Sequence, residues 1–450
     1  MKNVFLLPVL FFLLSWSACA EEVPDLYRVL SGGSWGFIDS AGDVVVPAQY
    51  DFAYPYSNGF TVVIQGDYRD GKRAFLNAAG EQITDFVFDR AYHFVNGYGT
   101  ATLAGKWGFV GPDGVPVGEF QWDGLTDFRD DYAQVRVGSW RDGKWGMIDT
   151  AGREILAPEF GYISYAGEGA WWIGPDREHR ALFHPGDPIP RSFPYLSGGS
   201  FQSGFAVVSI VLNSETYWIL IDHEETREFA TPTEISGYSE GIARVKSDSG
   251  YRFQRSNGEY LPGGPYDSAS DFHDGLARIG VGAGWRDRLY GYIDTEGTAI
   301  IEPVYASIGS FDEYGLAWFK RDDQYGFINR DGRIVARPIW QQTGTFHDGL
   351  CPVMRGERWG YIGLNGQLAI PLQYDYAYDF SEGWAVVRNG DYETGLRAYI
   401  DTSGAAMSPN RYQWAFNYTG SLAHVAEGDY ATGRFGYIDM TGDFVWEPRN

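Results

Sequence analysis

The sequence predicts an all-β chain, an array of about twelve short antiparallel β repeats with a mean period of about 36 residues. Three observations carry that expectation. A short aromatic–aliphatic run recurs at near-regular intervals, and an Asp- or Asn-led turn ending in glycine follows it. Outside the first twenty residues, no window shows helical periodicity long enough for a helix.

Laid in register, the copies open near residues 34, 72, 106, 144, 180, 217, 251, 289, 324, 358, 396 and 434. The fullest copy begins Trp359-Gly360-Tyr361-Ile362, turns at Asn365-Gly366, continues through Leu368-Ala369-Ile370-Pro371 and Tyr374-Asp375, and ends Phe380-Ser381-Glu382-Gly383-Trp384-Ala385-Val386-Val387. Other clear openers are Trp35-Gly36, Trp107-Gly108, Trp145-Gly146, Tyr290-Gly291, Tyr325-Gly326 and Phe435-Gly436. Units near 180, 217 and 251 are degenerate and lack the Trp-Gly pair.

Each element of the unit has a local reason. The opener alternates in character, as a strand does. Asp39, Asp149, Asp294, Asn329 and Asp439 start turns whose fourth residue is a glycine suited to positive φ. The next strand is expected to end at a proline (Pro47, Pro158, Pro303, Pro338, Pro371, Pro448), because proline has no amide hydrogen for a ladder and so marks an edge or an exit. A Tyr-Asp pair often follows (Tyr50-Asp51, Tyr266-Asp267, Tyr374-Asp375), and a third strand comes in after a glycine, as at Gly383-Trp384. Three short strands cannot bury both faces alone, so each unit is expected to stack its rings against its neighbours. Twelve units exceed the usual four to eight propeller blades, so an open, twisting, solenoid-like array is expected, with two consecutive β-propellers as the alternative.

Composition limits the function classes. Apolar residues make up 44% and aromatics 17%, enough for a core, and the net charge is −24, which argues against nucleic acid and anionic lipid as partners. Residues 1–20 carry Lys2, an apolar run from Val4 to Leu14 and the small-x-small triplet Ala18-Cys19-Ala20, the pattern of a signal peptide cut before Glu21. The alternative is a lipoprotein signal with Cys19 lipidated. Residues 21–33 read as a lead-in and 34–450 as the array, with no other stretch apolar enough to span a membrane. If Cys19 leaves with the signal, Cys351 stands alone and no disulfide frames the fold.

The Trp/Tyr-Gly-Phe/Tyr-Ile-Asp opener, the Asp/Asn-x-x-Gly turn, the Ile/Val-Pro and Tyr-Asp pairs, and the Phe380 to Val387 closer together resemble the bacterial WG-repeat (KWG-repeat) proteins. The resemblance covers roughly Ser34 to Pro448, essentially the whole mature chain. It implies a β-repeat array in an exported bacterial protein, and it implies no activity. The residues carried over are structural: Trp35, Gly36, Trp107, Gly108, Trp145, Gly146, Gly291, Gly326, Trp359, Gly360 and Gly436.

Motifs for catalysis or cofactors are incomplete. Gly32-Gly33-Ser34-Trp35-Gly36 matches a nucleophile elbow, but a repeat strand follows where a helix belongs. Gly66 to Lys72 and Gly138 to Lys144 read Gly-x-x-x-x-Gly-Lys without the Ser or Thr and helix of a phosphate loop, and they recur in phase as hairpins. His179 and His184, near Asp176, Glu178 and Asp187, form the one local cluster with ligand-type side chains. The expectation is therefore no cofactor, no metal and no enzymatic activity. The chain reads as a binding or scaffold protein of the cell envelope, periplasmic or secreted or, with lipid on Cys19, anchored to the outer membrane. It would present an acidic, aromatic-rich surface to a protein or glycan. The alternative is a glycan-active hydrolase with paired carboxylates in the degenerate middle, for which Glu224, Glu225 and Glu234 are the candidates.

Overall fold

The computed structural model describes residues 25–449 except 203, 226, 232–233, 285, 408–411 and 429–432. The signal-peptide reading and Cys19 lie outside the described residues. Within them the chain is all-β, in twelve separate sheets of three or four strands, each an antiparallel meander in chain order. The expected β-repeat array is what the chain adopts, and no barrel closes.

The sequence repeat and the sheet are out of phase. The tenth sheet takes Leu350–Arg355 from the end of one repeat and Arg358–Gly363 and Leu368–Tyr374 from the start of the next. The same offset gives Tyr27–Ser31 its place. This strand, inside the stretch read as a lead-in, pairs with Ser34–Ile38 and supplies to the first sheet the strand that a preceding repeat supplies elsewhere.

The prolines do not end their strands. Val44–Tyr50, Glu154–Phe160, Ala299–Tyr305, Ile334–Trp340 and Leu368–Tyr374 each run through Pro47, Pro158, Pro303, Pro338 and Pro371. At each of these prolines the ladder slips: Trp359 pairs with Tyr374 and Tyr361 with Ile370, so three partner residues face one glycine. The bulge lies on the edge strand of the sheet, where a missing amide hydrogen costs nothing.

Between the tight ladders, Asx turns do what the sequence indicates. The Asp39 side chain accepts the amides of Ala41 and Asp43, both at 2.9 Å, and Asp294, Asn329, Asp401 and Asp439 repeat the arrangement. The aspartate of each Tyr-Asp pair acts as a latch. Asp51, Asp267 and Asp375 accept the amides of Gly66, Gly282 and Gly390, each at 2.7 Å, closing a span of fifteen residues.

The core is a succession of buried clusters, each shared by two consecutive sheets. Phe37, Val46 and Tyr50 of the first sheet meet Ala53, Val63 and Leu76 of the second, and the pattern continues to Val386 and Tyr399 of the eleventh against Ala423 and Val425 of the twelfth. No sheet on this path is skipped, so the chain forms one continuous stack and not two consecutive propellers. A further cluster joins the ends. Tyr27, Val29 and Ile38 pack with Leu422, Tyr437, Val445 and Trp446. The Tyr27 hydroxyl donates to Thr419 O (2.9 Å), and the Tyr437 hydroxyl donates to Arg28 O (3.1 Å). End sheets of an array otherwise leave one apolar face bare; here the two bare faces cover each other.

Candidate functional site

The recurring residues are placed by packing. Gly36, Gly146, Gly291, Gly326 and Gly360 stand opposite the proline bulge, where a Cβ would lie 2.4, 2.5, 2.2, 2.7 and 2.5 Å from the carbonyl oxygens of Val46, Leu156, Ile301, Ala336 and Ile370. At Gly108 the obstacle is the ring of Phe120, 2.7 Å away, and Gly436 stands at the same ladder slip, between Phe435 and Tyr437. Of the tryptophans beside these glycines, three lie at the margin of the inter-sheet core, Trp35 against Phe52, Trp107 against Tyr92 and Trp145 under the Arg136 guanidinium, while Trp359 is buried in it against Tyr376. Deepest are the residues after the glycine, Phe37, Phe109, Met147 and Tyr361, with at most 1% exposed.

The near-matches to catalytic motifs resolve into turns. Gly32 and Gly33 reverse the chain between Tyr27–Ser31 and Ser34–Ile38, leaving Ser34 at the start of a strand. Of the three candidate glutamates, Glu225 and Glu234 have carboxylate partners of their own. Glu225 accepts the Tyr195 hydroxyl, Glu224 is held through its own amide by Asp222, and Glu234 faces Lys246 at 3.6 Å.

The histidines regroup. His179 stays local, with Nδ1 2.9 Å from Asp176. His184 pairs with His223, thirty-nine residues on, with Nε2 and Nδ1 3.0 Å apart. His223 Nε2 in turn meets Glu168 at 3.1 Å, and Phe201 stacks on its ring at 4.1 Å. Burial and the neighbouring His223 hold the His184 pKa below its ordinary value. Spacing along the chain gave no sign of this relay, because its members belong to different sheets. Among the described residues no group of three or more His, Cys, Asp or Glu side chains has the geometry to hold a metal.

Among the cavities between sheets, two are walled by aromatic rings. At the seam of the first and last sheets, about 370 Å³ is lined by Tyr27, Arg28, Tyr56, Phe416, His424 and Tyr437 among others. Its imidazole is sandwiched between Phe416 and Phe435, at 5.4 and 4.9 Å, and burial together with Arg28 lowers the His424 pKa to about 4. The ring is therefore neutral at pH 7 and behaves as part of an aromatic wall. The second cavity, about 730 Å³, lies beside the stacked pair Tyr92 and Trp107 and takes in Asp127, Arg129 and Tyr165.

The buried Cys351 makes no disulfide, and burial pushes its thiol far above the ordinary range. No helix among the described residues is long and apolar enough to cross a membrane.

No curated protein matches the chain. Among solved structures, one titled a eukaryotic initiation factor aligns over 86% of this chain and 95% of its own at 10% identity, with a TM-score of 0.38. Two extracellular domains from B. thetaiotaomicron also align. That of a hybrid two component system covers 95% of this chain and 69% of its own at 10% identity, with a TM-score of 0.25; that of a one component system covers 94% and 80% at 11%, with a TM-score of 0.23. Scores this low fix neither fold nor function. The model of the WG containing repeat matches seven times, at residues 35–68, 75–107, 107–139, 145–170, 290–325, 325–359 and 359–392. These segments make up just over half of the chain and contain the glycines whose place opposite the proline bulge is set out above, so the chain belongs to the WG-repeat family.

Proposed function

We propose that this chain is a non-enzymatic binding or scaffold protein of the bacterial cell envelope, exported through its N-terminal signal, which presents an acidic, aromatic-rich surface to a protein or glycan. The observation that supports it is the fate of the chemistry-bearing residues. The recurring carboxylates are spent on Asx turns and glycine latches, and the carboxylates of Glu225 and Glu234 have separate partners. Aromatic side chains stay open to solvent between sheets, in the walls of the seam cavity and of the cavity beside Tyr92 and Trp107.

The test is to titrate the folded protein with fractionated envelope proteins and glycans, reading thermal stabilisation and, in parallel, newly released reducing ends. Stabilisation by one fraction without cleavage is the expected result. Cleavage that disappears on combined replacement of Glu224, Glu225 and Glu234 by glutamine contradicts it. For export, mass spectrometry is expected to find Glu21 as the mature N-terminus; an acylated Cys19 makes the protein lipid-anchored instead.

A further inference from the structure

Six connections between the last strand of one repeat and the first of the next reverse the chain in two residues, as at Ala104-Gly105, Asp322-Asp323 and Gly356-Glu357. Four fully described connections take six, and three of these run from glycine to glycine: Gly66 to Gly71, Gly138 to Gly143 and Gly390 to Gly395. Each carries an aromatic residue at its third position, Tyr68, Trp140 and Tyr392, and these are the three most exposed aromatic rings among the described residues, at 53%, 79% and 61%. Chain reversal does not require them, since two residues suffice elsewhere.

The loops are braced from within. The amides of Gly71, Gly143 and Gly395 donate to the carbonyls of Asp67, Ser139 and Asp391 at 2.6, 2.8 and 3.0 Å, and the opening glycines are latched by Asp51, Asp123 and Asp375. An arginine supports each aromatic residue. Arg136 lies 5.1 Å from the centre of the Trp140 ring, Arg388 lies 5.6 Å from that of Tyr392, and Arg73 donates to the Tyr68 carbonyl at 2.7 Å. The Tyr68 ring also meets Phe52 edge-on at 5.0 Å, and its hydroxyl bonds that of Tyr54 at 3.0 Å. The Tyr392 ring also meets Trp414 at 5.6 Å and Arg397 at 5.8 Å, so each exposed ring is held in place at little entropic cost to a ligand.

We infer that these hairpins form a multivalent site for an uncharged polysaccharide. This deepens the binding reading above and rests on it. A flat ring covers the C–H face of a pyranose, and the side chains beside it (Asp67 and Arg69, Arg141 and Asp142, Glu393 and Thr394) supply donors and acceptors for its hydroxyls. A net charge of −24 disfavours a polyanion. The three rings stand on the second, fourth and eleventh sheets. A stable protein partner needs about 800 Å² of continuous surface per side, which isolated rings do not offer, whereas a polymer gains by engaging several weak points at once.

The test is native affinity electrophoresis of the full mature chain in gels cast with soluble neutral glucans, mannans, xylans or galactans, with thermal melting of each variant as the folding control. Retardation by at least one polymer is expected, weakened about tenfold by Trp140→Ala, abolished by combined Tyr68→Ala, Trp140→Ala and Tyr392→Ala, and kept by Trp140→Phe. The inference is overturned if no polymer retards the wild type, or if the triple variant is retarded equally. If an envelope fraction stabilises wild type and triple variant alike, this assignment fails while the binding reading stands. If no fraction stabilises either, the binding reading itself has failed.

Discussion

Gly360 shows how one residue type is dictated by a distant one. Its strand faces a partner that carries Pro371 in a bulge, and the bulge brings two carbonyl oxygens to 2.5 and 2.6 Å from where a Cβ would sit. Gly360→Ala is therefore expected to cost about 1–3 kcal/mol of stability by overpacking, read as a lower denaturation midpoint. An unchanged midpoint would show that the bulge yields. The Trp-Gly pair was legible in the sequence, but its cause was not, because a ladder slip depends on which residues of two strands come to face each other. For the same reason Pro371 read as a strand end. The His184 and His223 pair was equally hidden, being local to neither stretch of chain. The latch aspartate gives a second expectation at this scale: Asp375→Ala removes the 2.7 Å acceptor of the exposed Gly390 amide and is expected to destabilise by about 0.5–1.5 kcal/mol.

For the sheets, the fold class and the number of units could be read because turn chemistry is local, and each Asp-led turn sits where the sequence placed it. The offset between repeat and sheet could not be read, since nothing local tells which side of the Gly66 to Gly71 hairpin a sheet begins on. The carboxylates give these elements a pH dependence. The hydrogen bond from Lys72 holds the Asp89 pKa below its ordinary value, and those from Ser403 and Thr394 do the same for Asp401 and Asp391. A depressed pKa in the fold contributes stability that is present above the unfolded value, about 4, and is lost as pH falls through the folded one. The denaturant midpoint is therefore expected to fall below about pH 4, and Asp401→Asn to flatten part of that fall. Cys351 reports on the element interior. With no exposed surface and its thiol held protonated, it is expected to react with a thiol reagent only as the tenth sheet opens; immediate reaction in native buffer would contradict its burial.

Across the whole molecule, the consequence the sequence did not carry is that the two ends meet. Repeats signal only their neighbours, so a contact between Tyr27 and Thr419 leaves no periodic trace. The meeting has its own pH signature. His424, at the seam, has a pKa lowered from 6.5 to about 4, so protonation opposes folding there. Its contribution is complete above about pH 6.5 and is lost between there and pH 4, at no more than about 1.4 kcal/mol per pH unit. His424→Phe is expected to remove that part of the pH dependence and leave the fall below pH 4.

The return of the twelfth sheet to the first can be read as a distance. Spin labels at Ala41→Cys and Glu447→Cys sit in exposed positions on the first and last sheets, in the region where Gly42 abuts the backbone of Val445, and the buried Cys351 stays unlabelled. Dipolar coupling is expected to give a single short separation, lengthening when Tyr27 and Tyr437 are both replaced by alanine. A separation comparable to the length of the whole array in the unaltered protein would mean that the first and last sheets do not meet.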